Sequence, residues 1–100
     1  MRKQAARRSL GFTPTEHVDL LTERLESAER FFGEAVKRAK AGNCQSAITN
    51  LVLGAGYEGE AQAHAEGTTH SRHMTRVRKL FGVRDKAAAQ VITACLRPKS

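Results

Sequence analysis

NCQSAITNLVLGAGYEGEAQAHAE, residues 43–66, is the stretch whose reading decides the fold. It is apolar on more than one side and rich in small residues, which predicts a middle helix with neighbours pressed against it. Cys44, Ile48, Leu51 and Ala55 recur at the 4-3-4 spacing of one helical face. Leu53, Tyr57, Ala61 and His64 form a second stripe, roughly opposite at ~100° of rotation per residue. Two stripes predict burial between two partners. Gly54, Gly56 and Gly59 each weaken a helix by ~1 kcal/mol against Ala. Close approach of another helix is the expected compensation, and a break at residues 53–57 is the competing reading. Gly54-x-Gly56-x-x-Gly59 matches a dinucleotide-binding pattern only formally, because no strand precedes it.

Working outward toward the N-terminus, Thr13-Pro14-Thr15-Glu16 is a helix start. Thr13 can cap, Pro14 suits the first helical position, and Glu16 stands where a capping box requires it. Val18, Leu21, Leu25, Ala28, Phe32, Ala35 and Ala39 then keep an unbroken 3-4-3-4-3-4 spacing. Lys37, Arg38 and Lys40 complement the negative end of the helix dipole, and Gly42 with Asn43 closes one helix and opens the next. A helix over residues 14–41 follows, with Ala28, Ala35 and Ala39 giving a seam shallow enough for packing within a bundle.

On the other side, Gly67-Thr68-Thr69-His70-Ser71 reads as a turn. Met74, Val77, Phe81, Ala88, Val91 and Cys95 share a frame interrupted by Arg84, so residues 72–96 form one helix or two broken near Gly82. The connections around Gly42 and Gly67 are short, which forces neighbours to run antiparallel. The predicted fold is all-α: a small antiparallel three-helix bundle over residues 13–97, preceded by a flexible basic arm over residues 1–12 from which Leu10 and Phe12 can tuck onto the bundle. One hundred residues, 40% of them apolar, form one domain, with stability of about 5–10 kcal/mol.

The chain carries a formal net charge of +7. Residues 1–12 hold Arg2, Lys3, Arg7 and Arg8 without an acid, and residues 13–66 hold nine carboxylates against five bases. Residues 67–86 set six bases against Asp85 alone. Basic segments flanking an acidic centre point to a polyanionic partner. On a helix, Arg72, Arg76 and Lys79 lie at i, i+4 and i+7 with Lys86 following, all expected to project away from the apolar face. A cationic row on a rigid support is what phosphate contacts need, and such contacts give affinity without sequence readout. The same row could instead serve as a solvated face.

His64, His70 and His73 with Glu66 can be drawn as a metal site, but no recognised ligand spacing completes it, and no metal or other cofactor is expected. Cys44 and Cys95 fall at one end of the bundle and are expected to lie close, with a disulfide possible and packed, reduced thiols the reading that suits a cytoplasm. No nucleophile elbow, phosphate loop or zinc-protease motif is present, so no catalytic residue, enzyme activity or small-molecule substrate is expected. Residues 1–12 lack the apolar core of a secretory signal, and residues 41–57 are too polar to span a bilayer, which predicts a cytoplasmic protein with no membrane partner.

The spacing Cys44-x-x-Ala47-Ile48-x-x-Leu51, then Gly59-x-Ala61-x-x-His64, with a basic start and a late cysteine at Cys95, resembles small helical proteins of unassigned function from microvirus-type single-stranded DNA phages. The resemblance implies a phage origin and a host-cytoplasm or virion setting, and carries no catalytic residues. Two functions follow from the whole reading. The first is non-specific, phosphate-directed nucleic-acid binding through Arg2, Lys3, Arg7, Arg8, Arg72, Arg76, Lys79 and Lys86, in genome packaging or organisation. The alternative is a protein–protein interaction module, by self-association or capture of a host protein, with no nucleic-acid role.

Overall fold

The computed structural model describes residues 11–68 and 71–96. Arg2, Lys3, Arg7, Arg8 and His70 lie outside the described residues. Among the described residues every regular element is helical: α1 (Pro14–Lys40), α2 (Cys44–Glu66) and α3 (Ser71–Val91), the last running into a π-helical turn at Ile92–Leu96.

The capping chemistry fixes the boundaries. The Thr13 hydroxyl accepts the Glu16 N–H at 3.1 Å while the Glu16 carboxylate accepts the Thr13 N–H at 2.8 Å, a complete capping box. At the far end Gly42 takes a φ of 84°. Its N–H reaches the Ala39 carbonyl and the Asn43 N–H reaches that of Arg38, the bond pair of a Schellman ending. The Asn43 side chain then accepts the Ser46 N–H and starts α2.

Three stacked clusters make the core of a rod with extents of 56 × 20 × 17 Å. Leu21, Ala61, Ala65 and Val77 form the first, Ala28, Phe32, Leu80 and Ala87 the second, and Ala35, Ala39, Ala47 and Val91 the third. The start of α1 therefore lies beside the end of α2 and the start of α3. The heptad residues expected on α1 are its buried face, with Val18 and Leu25 half-buried.

On α2 the expected two stripes are corrected. The buried residues are Ala47, Gly54, Glu58, Ala61 and Ala65, a single face at heptad spacing, while Ile48, Leu53 and Ala55 are exposed. Thus α2 is not sandwiched between two partners. Volume matching is the reason. A Cβ on Gly54 would lie 2.6 Å from the Phe32 ring, whereas one on Gly56 or Gly59 would meet nothing within 4 Å. Among the described residues, of these three glycines only Gly54 is explained by close approach, and the helix continues through all three.

On α3 the buried face is His73, Val77, Leu80, Ala87 and Val91. The expected frame through Met74, Phe81 and Ala88 is its half-buried flank. There is no break at Gly82, because Arg84 does not interrupt the seam: its guanidinium donates to the Glu58 carboxylate of α2 at 3.1 Å. The π turn then inserts an extra residue after Val91. It leaves Ala94 outward and brings Cys95 toward the start of α2, where it is disulfide-bonded to Cys44 across a Cα–Cα distance of 5.5 Å. Of the two alternatives for the thiols, the structure has the disulfide, and the geometry that brings the two helix ends together permits the bond.

Candidate nucleic-acid interface

Arg72, Arg76, Lys79 and Lys86 share one flank of α3 by helical spacing, and of these Arg76 and Lys86 face α1. Arg78 is exposed outside that flank. Arg72, Lys79 and Lys86 are exposed. Arg76 departs from the expectation of four outward bases: it is half-buried, and its guanidinium donates to the Thr22 hydroxyl of α1 at 2.8 Å. It therefore helps to hold the two helices at a fixed spacing as well as adding charge. From Arg72 to Lys86 the row runs ~21 Å at the helical rise.

Below this row α1 and α3 separate into a groove. Two adjoining cavities of about 390 and 460 Å³ share Val36, Lys40, Lys86 and Gln90. Glu29, Gly33 and Val83 mark one end, and Thr93 and Ala94 the other. The floor is apolar, with Val36 and Phe32 in it, and open because Gly33, Ala39 and Ala87 are too small to fill the space between the helices. Lys40 from α1 thus joins Lys86 from α3 over one apolar channel. Lys40 was visible in the sequence only as a dipole-complementing last-turn lysine. The signal for its place here is the row Glu29, Gly33, Val36 and Lys40, which flanks the α1 core seam at heptad spacing.

Two other basic groups are committed elsewhere. Arg84 bonds Glu58 and Asp85 and lies over the Phe81 ring at 5.0 Å. The Asp85 hydrogen bond, then the Glu58 charge, holds its pKa above the ordinary guanidinium value against the opposing effect of burial. Arg24 donates to Glu60 at 2.7 Å and also bridges Glu23.

At the opposite end of the rod, Phe12, His17 and His64 form a ring cluster with centroids 5.3–5.6 Å apart. Phe12, expected in the arm, therefore packs on the bundle. His17 Nδ1 lies 3.1 Å from His64 Nδ1, so one imidazole donates while the other accepts. Burial, then the neighbouring His17 and Arg24, lowers the His64 pKa, with Glu60 opposing. A Cβ on Gly67 would strike the His17 ring at 2.7 Å, so the turn after α2 closes directly over this imidazole. Among the described residues no group of three or more His, Cys, Asp or Glu side chains is arranged to hold a metal ion.

The outward side of α2 is the remaining feature. Ile48 and Leu53 are exposed and Val52 is 65% exposed, next to the open Gly56 and Gly59. No described helix is long and apolar enough to cross a membrane. No protein-family model, curated protein or solved structure matches the chain.

Proposed function

We propose that the protein binds nucleic acid through phosphates and without sequence preference, using the α1–α3 edge, in genome packaging or organisation. The observation that carries this reading is Lys40 from α1 and Lys86 from α3 lining one groove, with exposed Arg72 and Lys79 continuing along the same α3 flank at helical spacing. Phosphate contacts need cations held in a row, and a helical support supplies the row. Arg2, Lys3, Arg7 and Arg8 add further charge from residues 1–10. No Asn accompanies the row on α3 and its one Gln, Gln90, lies in the groove, so the paired amide contacts that read adenine are missing from the exposed flank.

Anisotropy titrations of labelled DNA and RNA at several salt concentrations test the reading. Binding that weakens steeply with salt and hardly varies with base composition is the expected result. Absence of binding at low salt to any of these nucleic acids leaves the charge as a solubilising feature.

A second reading, self-association through the outward face of α2, draws on a different observation. Ile48, Val52 and Leu53 are exposed beside Gly56 and Gly59, whose helix-weakening effect no close contact among the described residues offsets. Packing of a second helix against that side would bury them. Sedimentation over a range of protein concentrations separates this reading from a monomer.

A further inference from the structure

We propose that the groove between α1 and α3 receives the bases of an unpaired strand, so that the protein prefers single-stranded to duplex nucleic acid; this rests on the phosphate reading above. A surface that recognised phosphates alone would favour duplex, which packs a charge about every 1.7 Å along its axis. This surface has something a duplex cannot use. Between Lys40 and Lys86 lie two adjoining cavities of about 390 and 460 Å³, Val36 lining both, with Phe32 lining the larger and the Glu29 carboxylate at its far end. Duplex bases are stacked on one another and offer no free face, whereas unpaired bases can be splayed into such a channel.

The position of the cations narrows the occupant further. Lys40 and Lys86 line both cavities, so apolar floor extends to either side of them, toward Val83 in one direction and Ala94 in the other. A ligand with one anionic head and one apolar tail would leave half of the channel empty. A strand, with anions and apolar rings repeating along its length, matches the channel and the continuing row of Arg76 and Lys79. Residues 1–10 carry only basic charges and so supply no anion to match the lysine pair. Gln90, half-buried in both cavities, can hydrogen-bond a base edge without demanding a particular base.

Gly33 provides the test. It lines the larger cavity, and a Cβ there would meet nothing within 4 Å, so Gly33→Leu has room at its Cβ and adds its bulk at the channel. Affinities of the full chain are measured at one salt concentration for an oligothymidylate of about twelve nucleotides, a mixed-sequence duplex of equal length and inorganic polyphosphate. The strand is expected to bind about tenfold more tightly than the duplex, the order given by withdrawing about 50 Å² of base face from water. In Gly33→Leu that ratio should fall to one or below, with helicity by circular dichroism retained. Equal affinity for strand and duplex in the wild type, or polyphosphate competing as well as the strand, overturns the inference while leaving phosphate binding in place. Displacement of the strand by decanoate but not by polyphosphate assigns the channel to an anionic amphiphile and overturns it too. No binding to any probe at low salt removes the phosphate reading and this inference with it.

Discussion

The Arg84 guanidinium crosses from α3 to the Glu58 carboxylate of α2 at 3.1 Å, linking the two residues that look out of place in their helices' apolar seams. Glu58 has a side chain only 6% exposed and Arg84 one that is 39% exposed. A buried carboxylate left without its partner is costly, and removal of one member of a buried pair typically destabilises by about 3–5 kcal/mol. Because Arg84 remains partly in water, Arg84→Met should cost somewhat less, about 2–3 kcal/mol. Combining it with Glu58→Leu should recover most of the loss, since the carboxylate is then gone as well. Urea unfolding of the two single variants and the double variant measures this. A double variant no more stable than Arg84→Met would show that the pair holds the seam in a way apolar packing cannot replace.

Three glycines on α2 should respond to alanine with opposite signs. Gly54→Ala places a methyl against the Phe32 ring and should destabilise by about 1–3 kcal/mol. Gly56→Ala and Gly59→Ala face open space and should each stabilise the monomer by ~0.5–1 kcal/mol through helix propensity. Thermal melts at low protein concentration decide between these signs.

Burial of His64, and then its neighbours His17 and Arg24, should make one end of the rod sensitive to acid. The His64 pKa is lowered from its ordinary 6.5, so the unfolded chain takes up the proton first as pH falls, and stability must fall with it. The contribution is therefore present in full above pH 6.5 and lost as the pH drops through the lower folded value. His64→Gln can still hydrogen-bond His17 but cannot titrate. Its melting temperature should change less than the wild type's between about pH 7.5 and about pH 5. Parallel pH profiles for the two proteins would remove His64 as the sensor.

Cys44 and Cys95 are separated by 51 residues, and a crosslink over a loop of that size constrains the unfolded chain by ~4 kcal/mol in the loop-entropy account. Cys95→Ser should therefore melt well below the oxidised wild type, and reductant should bring the wild type down to match it. Thiol counting establishes the oxidation state in each sample. A wild-type melting temperature that ignores reductant would separate the disulfide from stability.

What could be read in the sequence was what depends on local chemistry and large side chains. Thr13, Glu16 and Gly42 mark helix ends through bonds to residues three to five positions away, and Leu21 and Phe32 announce the buried face of α1 by size. The α2 face was misread in part because hydropathy ranks Ile48 and Leu53 above Gly54, whereas the Phe32 ring leaves room only for a glycine there; Ala61 of the expected second stripe is buried. Arg84 reads as an interruption because the group that neutralises it lies 26 positions earlier on another helix. Nor can Lys40 be paired with Lys86 from spacing alone, since the groove width depends on the side chains of two helices at once.

The salt dependence of binding should divide the α3 bases by role. Arg72, Lys79 and Lys86 are exposed and Arg76 is half-buried, with its guanidinium on Thr22. Replacing the three exposed residues by Gln should leave the fold intact and flatten the log–log salt slope on duplex DNA by about two to three units, each phosphate contact contributing ~0.9. Arg76→Gln differs in kind. It loses an interhelical hydrogen bond worth about 0.5–1.5 kcal/mol, so its melting temperature should drop while its slope changes by at most one contact's worth. Lys40→Gln, on the other helix, should flatten the slope by about one unit if α1 and α3 contact one nucleic acid together. Measuring slope and melting temperature on the same samples keeps the two roles apart. If the triple variant retains the wild-type slope, the phosphates are held elsewhere, with Arg2, Lys3, Arg7 and Arg8 the next residues to replace.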